Sequence, residues 1–322
     1  MKILVIGGSY FLGRMFVLEA EKDGDILTVL NRGTHPLQRA GITEIRGDRH
    51  EDASYLPLKG KTFDIIVDFC AFERGDIEQV FRVLNGCFRQ YLFVSTVDVY
   101  RRQTGTVKDE GTPFEERNIP GEAGRYICGK VALEKELVHC SEKWGIPWTV
   151  VRPGMIYGPH NYAPRENWYV KQIVSGKPVF YPVDAKGRFQ FVYVKDVALM
   201  MLALCGKEKA FCEAFNICNA QPVDYALFFE VLEAAELFGT DIRRGRISDN
   251  PSEYYPFPLT EEETELYDGT KIQKLTGLSY ADFFEQMKKT MHYFYEIFAD
   301  GVKHSHKTEQ KAVLQKNEAT DA

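Results

Sequence analysis

Lys2-Ile3-Leu4-Val5-Ile6-Gly7-Gly8-Ser9-Tyr10-Phe11-Leu12-Gly13 opens the chain. The apolar run 2–6 is stopped by two glycines, and from Phe11 to Ala20 apolar residues recur at helical spacing, so the stretch reads as strand, tight turn, helix. Gly7 and Gly8 permit the turn, and Gly13 lets the helix lie close to the strand. The first turn of such a helix offers unpaired N–H groups, a place where a pyrophosphate binds. Glycines alone say little; glycines that follow the first strand and open the first helix are in the context dinucleotide binding demands. Gly7, Gly8, Ser9, Tyr10, Phe11, Leu12 and Gly13 are therefore candidate cofactor contacts. The middle position, where glycine normally admits phosphate to the backbone, is Tyr10, so its ring must point away from the cofactor or the phosphates must sit differently.

The same alternation continues outward. Strands are expected near Ile26–Leu30, Thr43–Ile45, Phe63–Phe69, Tyr91–Ser95 and Trp148–Val151, with helices over Asp76–Leu84 and Glu122–Trp144 between them. Continuous apolar strands rather than alternating ones point to a parallel sheet covered on both faces, an α/β doubly wound Rossmann architecture. After Pro153 prolines and aromatics crowd Tyr157–Pro182 and Ser252–Pro258, with helices expected around Asp224–Leu237 and Ala281–Phe298. This divides the chain into a dinucleotide-binding unit over 1–160, to which 187–205 return, and a smaller C-terminal α/β lobe over 161–186 and 206–300 for substrate. From Gly301 the chain turns polar and is expected to fray as a flexible tail over 301–322.

The chain has 322 residues, 44% hydrophobic and 27% charged, which is globular composition and excludes disorder, collagen and coiled coil for its bulk. The 40 basic and 46 acidic residues give a net charge of −6, against nucleic acid as a main partner. The longest apolar run, Val197–Cys205, is too short to cross a bilayer, and the first residues lack the pattern of a signal peptide, so no membrane is expected and a cytoplasmic location is. Seven scattered cysteines without C-x-x-C read as reduced core thiols. No metal site is expected; His304 and His306 read as solvated tail residues.

Two further positions bear on the cofactor. An acidic residue after the second strand would accept hydrogen bonds from an NAD ribose, whereas this chain has Asn31-Arg32-Gly33, and a guanidinium suits a 2′-phosphate; NADP is favoured over NAD. Asp48, after the third strand, either meets the adenine edge or caps a turn.

Tyr-x-x-x-Lys occurs three times, but Tyr55–Lys59 contains Pro57 and Tyr267–Lys271 contains Gly269. Only Tyr126-Ile127-Cys128-Gly129-Lys130 opens a convincing helix, with both side chains on one face a turn apart. An ammonium beside a phenol favours the phenolate, which could then exchange a proton with a substrate alcohol while hydride moves to or from a nicotinamide. Ser95 and Thr96, at the end of a parallel strand, offer the hydroxyl such a site needs.

Together these residues resemble the extended short-chain dehydrogenase/reductase superfamily, the NAD(P)-dependent epimerase/dehydratase group, over about 1–298. The resemblance also rests on Ser95-Thr96-Val97-Asp98-Val99-Tyr100, Arg152-Pro153-Gly154-Met155-Ile156-Tyr157-Gly158-Pro159 and Tyr193-Val194-Lys195-Asp196-Val197-Ala198. Tyr10 and the Asn31-Arg32-Gly33 turn look most like the atypical branch that holds chloroplast stem-loop-binding proteins and their bacterial relatives. The resemblance implies Tyr126 as acid/base, Lys130 holding the nicotinamide ribose and tuning Tyr126, Thr96 binding the reacting oxygen, and Pro153 to Ile156 bordering the nicotinamide. It also implies homodimers that pair through the helices matching Asp76–Leu84 and Glu122–Trp144.

The departures concern substrate. Sugar-nucleotide dehydratases place an Asp-Glu pair after the catalytic threonine; here those positions are Val97 and Asp98, so dehydration loses ground. Many members bind the substrate diphosphate with an arginine four residues before the position of Tyr193; here that residue is Phe189, with Arg188 one step earlier, and a one-residue slip on a strand reverses direction. Trp168 is a candidate for stacking on a sugar, or packs the smaller lobe. The expected function is an NAD(P)-dependent enzyme that oxidises or reduces a secondary alcohol of a sugar-like small molecule, with epimerisation through a transient ketone needing the fewest extra groups. A net NADP(H)-dependent reductase or dehydrogenase is the alternative, and a non-catalytic nucleotide-sensing or RNA-binding protein is the alternative of another class.

Overall fold

The computed structural model describes residues 1–320, with side chains through Gly301. In chain order the elements are β1 (Lys2–Ile6), α1 (Phe11–Lys22), β2 (Ile26–Asn31), β3 (Ile42–Arg46), β4 (Ile65–Asp68), α2 (Asp76–Val83), β5 (Tyr91–Val94), β6 (Val107–Lys108), α3 (Gly121–Trp144), β7 (Trp148–Pro153), β8 (Met155–Tyr157), α4 (Glu166–Val174), β9 (Val179–Pro182), β10 (Phe191–Tyr193), α5 (Val194–Leu204), β11 (Glu213–Ile217), α6 (Tyr225–Ala234), β12 (Ile242–Gly245), β13 (Leu266–Tyr267), α7 (Thr270–Thr276) and α8 (Phe283–Thr320).

Seven parallel strands form the central sheet in the order β11-β7-β5-β4-β1-β2-β3. The chain runs outward through β2 and β3, then returns to add β4 on the other side of β1, so the order reverses at β1 and β4 and opens a crevice beyond their C-terminal ends. Period-two alternation sends Ile3 and Val5 to one face, where they meet Phe16 and Val17 of α1 and Met200 and Met201 of α5. Leu4 and Ile6 reach the other face, against Val80 and Phe81 of α2 and Leu133 and Leu137 of α3. Both faces are covered, as the apolar strands require. Gly145, in the left-handed region at φ 66°, ends α3 after Trp144.

A second core, built from aromatic residues, lies between α4, α6, α8 and the strands around them; Tyr169, Phe189, Phe191, Phe228 and Phe257 are buried in it. Phe189 and Phe257 stack with ring centres 4.4 Å apart. Asp224 caps α6 by accepting from the Leu227 N–H at 2.8 Å.

Two expectations change. Glu213–Ile217, assigned by sequence to the smaller lobe, is β11 and closes one edge of the main sheet by pairing with β7. Its Glu-Ala-Phe-Asn-Ile sequence, with two polar residues in five, lacks the apolar run by which the inner strands are recognised. The backbone of α8 continues through the polar residues after Gly301 to Thr320, where a tail was expected, because 302–320 contain neither Gly nor Pro and are rich in helix-forming Lys, Gln, Glu and Ala. The side chains of His304 and His306, and all of Asp321 and Ala322, lie outside the described residues.

Candidate active site

Three segments converge at the crevice: the turn between β1 and α1, the end of β5, and the first turns of α3. They wall a cavity of about 1050 Å³ lined by Gly7, Tyr10, Phe11, Leu12, Gly13 and Arg32 at one end and by Ser95, Thr96, Asp98, Tyr126, Lys130, Pro153, Ile156 and Arg188 beyond. Most sequence candidates therefore share one space.

The glycines divide their tasks. Gly7 sits at φ +94°, a conformation L side chains rarely adopt, and a Cβ there would lie 2.9 Å from Cys70 Sγ. Gly8 is a packing residue instead: a Cβ would meet Val5 Cγ1 at 2.4 Å and Val17 Cγ2 at 2.8 Å. A Cβ on Gly13 would come within 2.8 Å of Gly8 Cα, so α1 can close on the turn only with glycine at both places. Ser9 closes the turn by donating its N–H to the Gly7 carbonyl at 2.8 Å. No side chain caps α1 and its first turn holds no acidic residue, which leaves the N–H groups of that turn facing the cavity wall. Such a terminus fits the pyrophosphate of a dinucleotide.

The Tyr10 ring is partly exposed and lines the cavity. It stacks on His35, ring centres 4.4 Å apart at 22°, and on Tyr162 at 5.9 Å and 29°. Arg32 is exposed at the cavity wall. Asn31 serves the turn beside it: its Oδ1 accepts from the Gly33 N–H at 2.7 Å and its Nδ2 donates to Glu44 at 3.3 Å. Asp48 also caps a turn, accepting from the His50 N–H at 2.9 Å, and does not reach the cavity lining. Of the two readings open for Asp48, the turn is the one its contacts show.

Lys130 is buried, and its Nζ donates to the carbonyls of Ala71 at 2.9 Å and Val94 at 3.0 Å, tying together the segments that follow β4 and end β5. Burial pushes this ammonium down to about 8, with Asp68 and Cys70 acting in the opposite direction. Tyr126, one turn earlier on the helix, is 41% exposed. Enclosure by the cavity walls nonetheless pushes the phenol up to about 12, and Asp98 and Tyr162 add to the rise while Thr96 opposes it. The expected lowering of Tyr126 by Lys130 is thus reversed: Nζ lies 5.9 Å from the phenol ring centre, and desolvation outweighs so distant a cation.

Thr96 is held by its own turn. Its Oγ1 donates to Asp98 at 3.1 Å and accepts from the Asp98 N–H at 3.2 Å. Ser95 looks the other way, donating to Glu134 Oε1 at 2.6 Å. That carboxylate is gripped by Arg152, and Arg152 Nη1 donates to the Tyr100 hydroxyl at 2.7 Å. Ser95 thereby ties the end of β5 to α3, and it also touches the cavity lining.

The lining also includes Arg102, Arg117, Arg165 and Arg188, together with Glu262, Glu263 and Glu265. Phe189 points into the aromatic core while its neighbour Arg188 is exposed at the cavity, so the one-residue slip brings the guanidinium toward the site. Arg117 is already paired with Glu115 at 2.5 Å. Trp168 is corrected: it packs edge-on to Tyr169 at 4.9 Å and to Tyr254 at 5.2 Å and is absent from the cavity wall, as an aromatic on a core-facing helix usually is. Glu166, wholly buried at the start of α4, accepts from Asn161 Nδ2 at 2.9 Å, leaves Oε2 without a partner, and is pushed up to about 7 by burial. The sequence reading missed Arg102, Arg117, Arg165 and Glu134. Glu134 follows Lys130 by four residues on the same helix face, a spacing that could have found it; the arginines lie on loops without periodicity.

Among the described residues no cluster of His, Cys, Asp and Glu could hold a metal ion, and no helix is long and apolar enough to cross a membrane. The NAD dependent epimerase/dehydratase family matches residues 3–218. The chloroplast stem-loop binding protein of 41 kDa b from Arabidopsis thaliana is 29% identical over 70% of this chain and 60% of its own length. A Bacillus subtilis protein described as an uncharacterized UDP-glucose epimerase is 23% identical over 48% of this chain and 48% of its own. The chain thus spans about half to three fifths of the length of these relatives. The Thermus thermophilus UDP-glucose 4-epimerase in complex with NAD superposes with a TM-score of 0.71 at 18% identity, covering 91% of this chain and 99% of that one, which shows the shared fold. With more than half of its length matched, and a seven-stranded parallel sheet carrying the glycine turn, Thr96, Tyr126 and Lys130 on one cavity, the chain belongs to the NAD-dependent epimerase/dehydratase family.

Proposed function

We propose that this protein is an epimerase that inverts a secondary alcohol of a sugar nucleotide or similar anionic sugar through a transient ketone. One observation carries the reading: a single cavity joins the uncapped N-terminus of α1, the Thr96, Tyr126 and Lys130 side chains, and a wall bearing Arg102, Arg165 and Arg188. A bound dinucleotide supplies the hydride acceptor and donor. Thr96 Oγ1 holds the reacting oxygen; the Tyr126 phenolate takes its proton on oxidation, and the phenol returns it on reduction. Because the phenol lies at about 12, phenolate is scarce at neutral pH, and the groups that favour it are the Thr96 hydroxyl, which hydrogen-bonds the phenol, and the Arg165 guanidinium. Two of the three Lys130 protons go to Ala71 and Val94, leaving one for a ribose hydroxyl. The arginines suit a diphosphate, in keeping with the UDP-sugar epimerases that share the fold.

Arg32 at the cavity wall, with no carboxylate at the end of β2, supports acceptance of NADP beside NAD. Pairing of two copies through α2 and α3, and a reducing cytoplasmic setting for seven free thiols, complete the proposal. Light scattering at micromolar concentration checks the pairing: a dimer mass is expected and a monomer mass removes it.

The deciding experiment denatures the purified protein, identifies any released nucleotide by chromatography, and follows UDP-glucose and UDP-galactose by NMR. Retained NAD with interconversion supports the epimerase. A site that arrives empty, fills with NADPH and consumes it in turnover selects net reduction instead.

The name of the chloroplast relative favours a second reading, RNA binding. The net charge of −6 and the carboxylates that line the cavity together with its arginines weigh against it. Salt-dependent retention of a stem-loop RNA, undiminished in Tyr126→Phe, would establish that reading.

A further inference from the structure

Tyr10 and Tyr162 come from opposite sides of the groove. Tyr10 belongs to the glycine turn of the sheet, and Tyr162 to the loop that leads into α4 and the aromatic core. Their rings stack at 5.9 Å and 29°. Behind Tyr10 the ring of His35, from the connection between β2 and β3, continues the stack at 4.4 Å. Phe11 meets Tyr162 edge-on at 6.0 Å and 82°. His160 stands 6.3 Å from Tyr10 and is anchored to α8 by the Tyr293 hydroxyl, 3.1 Å from its Nδ1. Both Tyr10 and Tyr162 line the cavity, and Tyr162 stands close both to Phe11 at the N-terminus of α1 and to Tyr126, whose phenol it influences.

We infer that Tyr10 and Tyr162 form an aromatic clasp across the cofactor groove, which holds the dinucleotide in place between turnovers and makes Tyr10 a determinant of cofactor retention. The inference rests on the dinucleotide reading above. It accounts for a tyrosine where the fingerprint normally has glycine: the ring, stacked between His35 and Tyr162, closes the groove. The clasp can open, because Tyr162 is 72% exposed and is held mainly through ring faces and edges, contacts that are individually weak. It also suits an internal epimerase, whose cofactor returns to its starting oxidation state and has no need to leave.

The test loads the full-length protein with NADH, chases with excess NAD, and follows release by NADH fluorescence in the wild type, Tyr162→Ala, Tyr162→Phe and Tyr10→Ala. Tyr162→Ala and Tyr10→Ala are expected to release NADH about tenfold faster, the rate equivalent of losing one or two ring contacts. Tyr162→Phe keeps the ring and should stay within about twofold of the wild type. Circular dichroism of Tyr162→Ala should match the wild type, since so exposed a side chain supports little of the core. Release from Tyr162→Ala at the wild-type rate overturns the clasp while leaving the dinucleotide site standing, and so does release from Tyr162→Phe as fast as from Tyr162→Ala. Failure of the wild type to bind NADH overturns the dinucleotide reading itself, and the clasp with it.

Discussion

Glu134 and Arg152 meet in a buried two-pronged ion pair, Nε to Oε1 at 3.0 Å and Nη2 to Oε2 at 2.5 Å, with the guanidinium 6% and the carboxylate 5% exposed. The pair joins α3, one turn beyond Lys130, to β7, one residue before Pro153. It therefore sets the distance between α3, which carries Tyr126 and Lys130, and Pro153 at the cavity wall. Ser95 and Tyr100 complete its hydrogen bonds, which is the condition under which a buried pair is tolerable.

Arg152→Met strands a buried carboxylate and should cost about 3–5 kcal/mol in urea denaturation. Adding Glu134→Leu should recover part of that loss, because no charge is then left alone. A double variant whose loss equals the sum of the single losses would show the two residues to be independent.

Tyr126→Phe keeps the ring and removes the proton carrier. Turnover should fall at least about 100-fold while NADH affinity stays within about twofold. Stopped-flow kinetics with fluorescence titration separates the two quantities, and wild-type turnover in the variant would remove Tyr126 from the chemistry.

Lys130 gives the alkaline limb of stability a definite sign. Its folded value, about 8, lies below the ordinary 10.5, so between these values the unfolded chain binds the proton that the folded chain has lost. Stability relative to Lys130→Met should therefore be greatest above the upper value and fall by up to about 3 kcal/mol as the pH is lowered to the lower one. Urea curves of both proteins at pH 7.5 and pH 10 measure the difference; a constant difference would place the ammonium in a solvated setting.

Glu166 acts in the other direction. Its folded value, about 7, lies above the ordinary 4.5, so the folded chain holds a proton that the unfolded chain releases, and stability falls as the pH rises through this window. Glu166→Gln, which keeps an acceptor for Asn161, should equal the wild type near pH 4 and exceed it by about 3 kcal/mol near pH 8. Thermal melts at the two pH values decide it.

Arg32→Ala should weaken NADPH about tenfold and NADH less than about twofold, as loss of a cation facing a 2′-phosphate requires. Parallel fluorescence titrations compare them, and equal weakening would show that Arg32 faces no phosphate.

Legibility followed periodicity. The inner strands β1, β2, β4, β5 and β7 are buried on both faces and so read as unbroken apolar runs, and the Tyr126 helix was picked out because its two rivals contain Pro57 or Gly269. The edge strand β11 was missed because Glu213 and Asn216 interrupt its apolar residues. Side-chain roles were legible only where backbone dictated them. Gly7 and Gly13 could be read from the turn, whereas Gly8 as a packing residue depends on Val5 and Val17 closing from either side. Nor could spacing show that Ser95 faces Glu134 while Thr96 faces the cavity, since that choice depends on a partner distant in sequence. Titration was the least legible property: the sequence places a cation beside Tyr126 but says nothing of how much water the fold removes from around the phenol.

The two carbonyls that receive Lys130 lend its side chain an unusual economy. An ammonium has three hydrogens and a neutral amine two, so when the group deprotonates near its value of about 8, Ala71 and Val94 can both stay bonded. What disappears is the positive charge and the one hydrogen that neither carbonyl accepts. Alkaline pH can thus silence the electrostatics of the site without unfastening the strand ends that shape it, and the loss should reverse on simple reacidification.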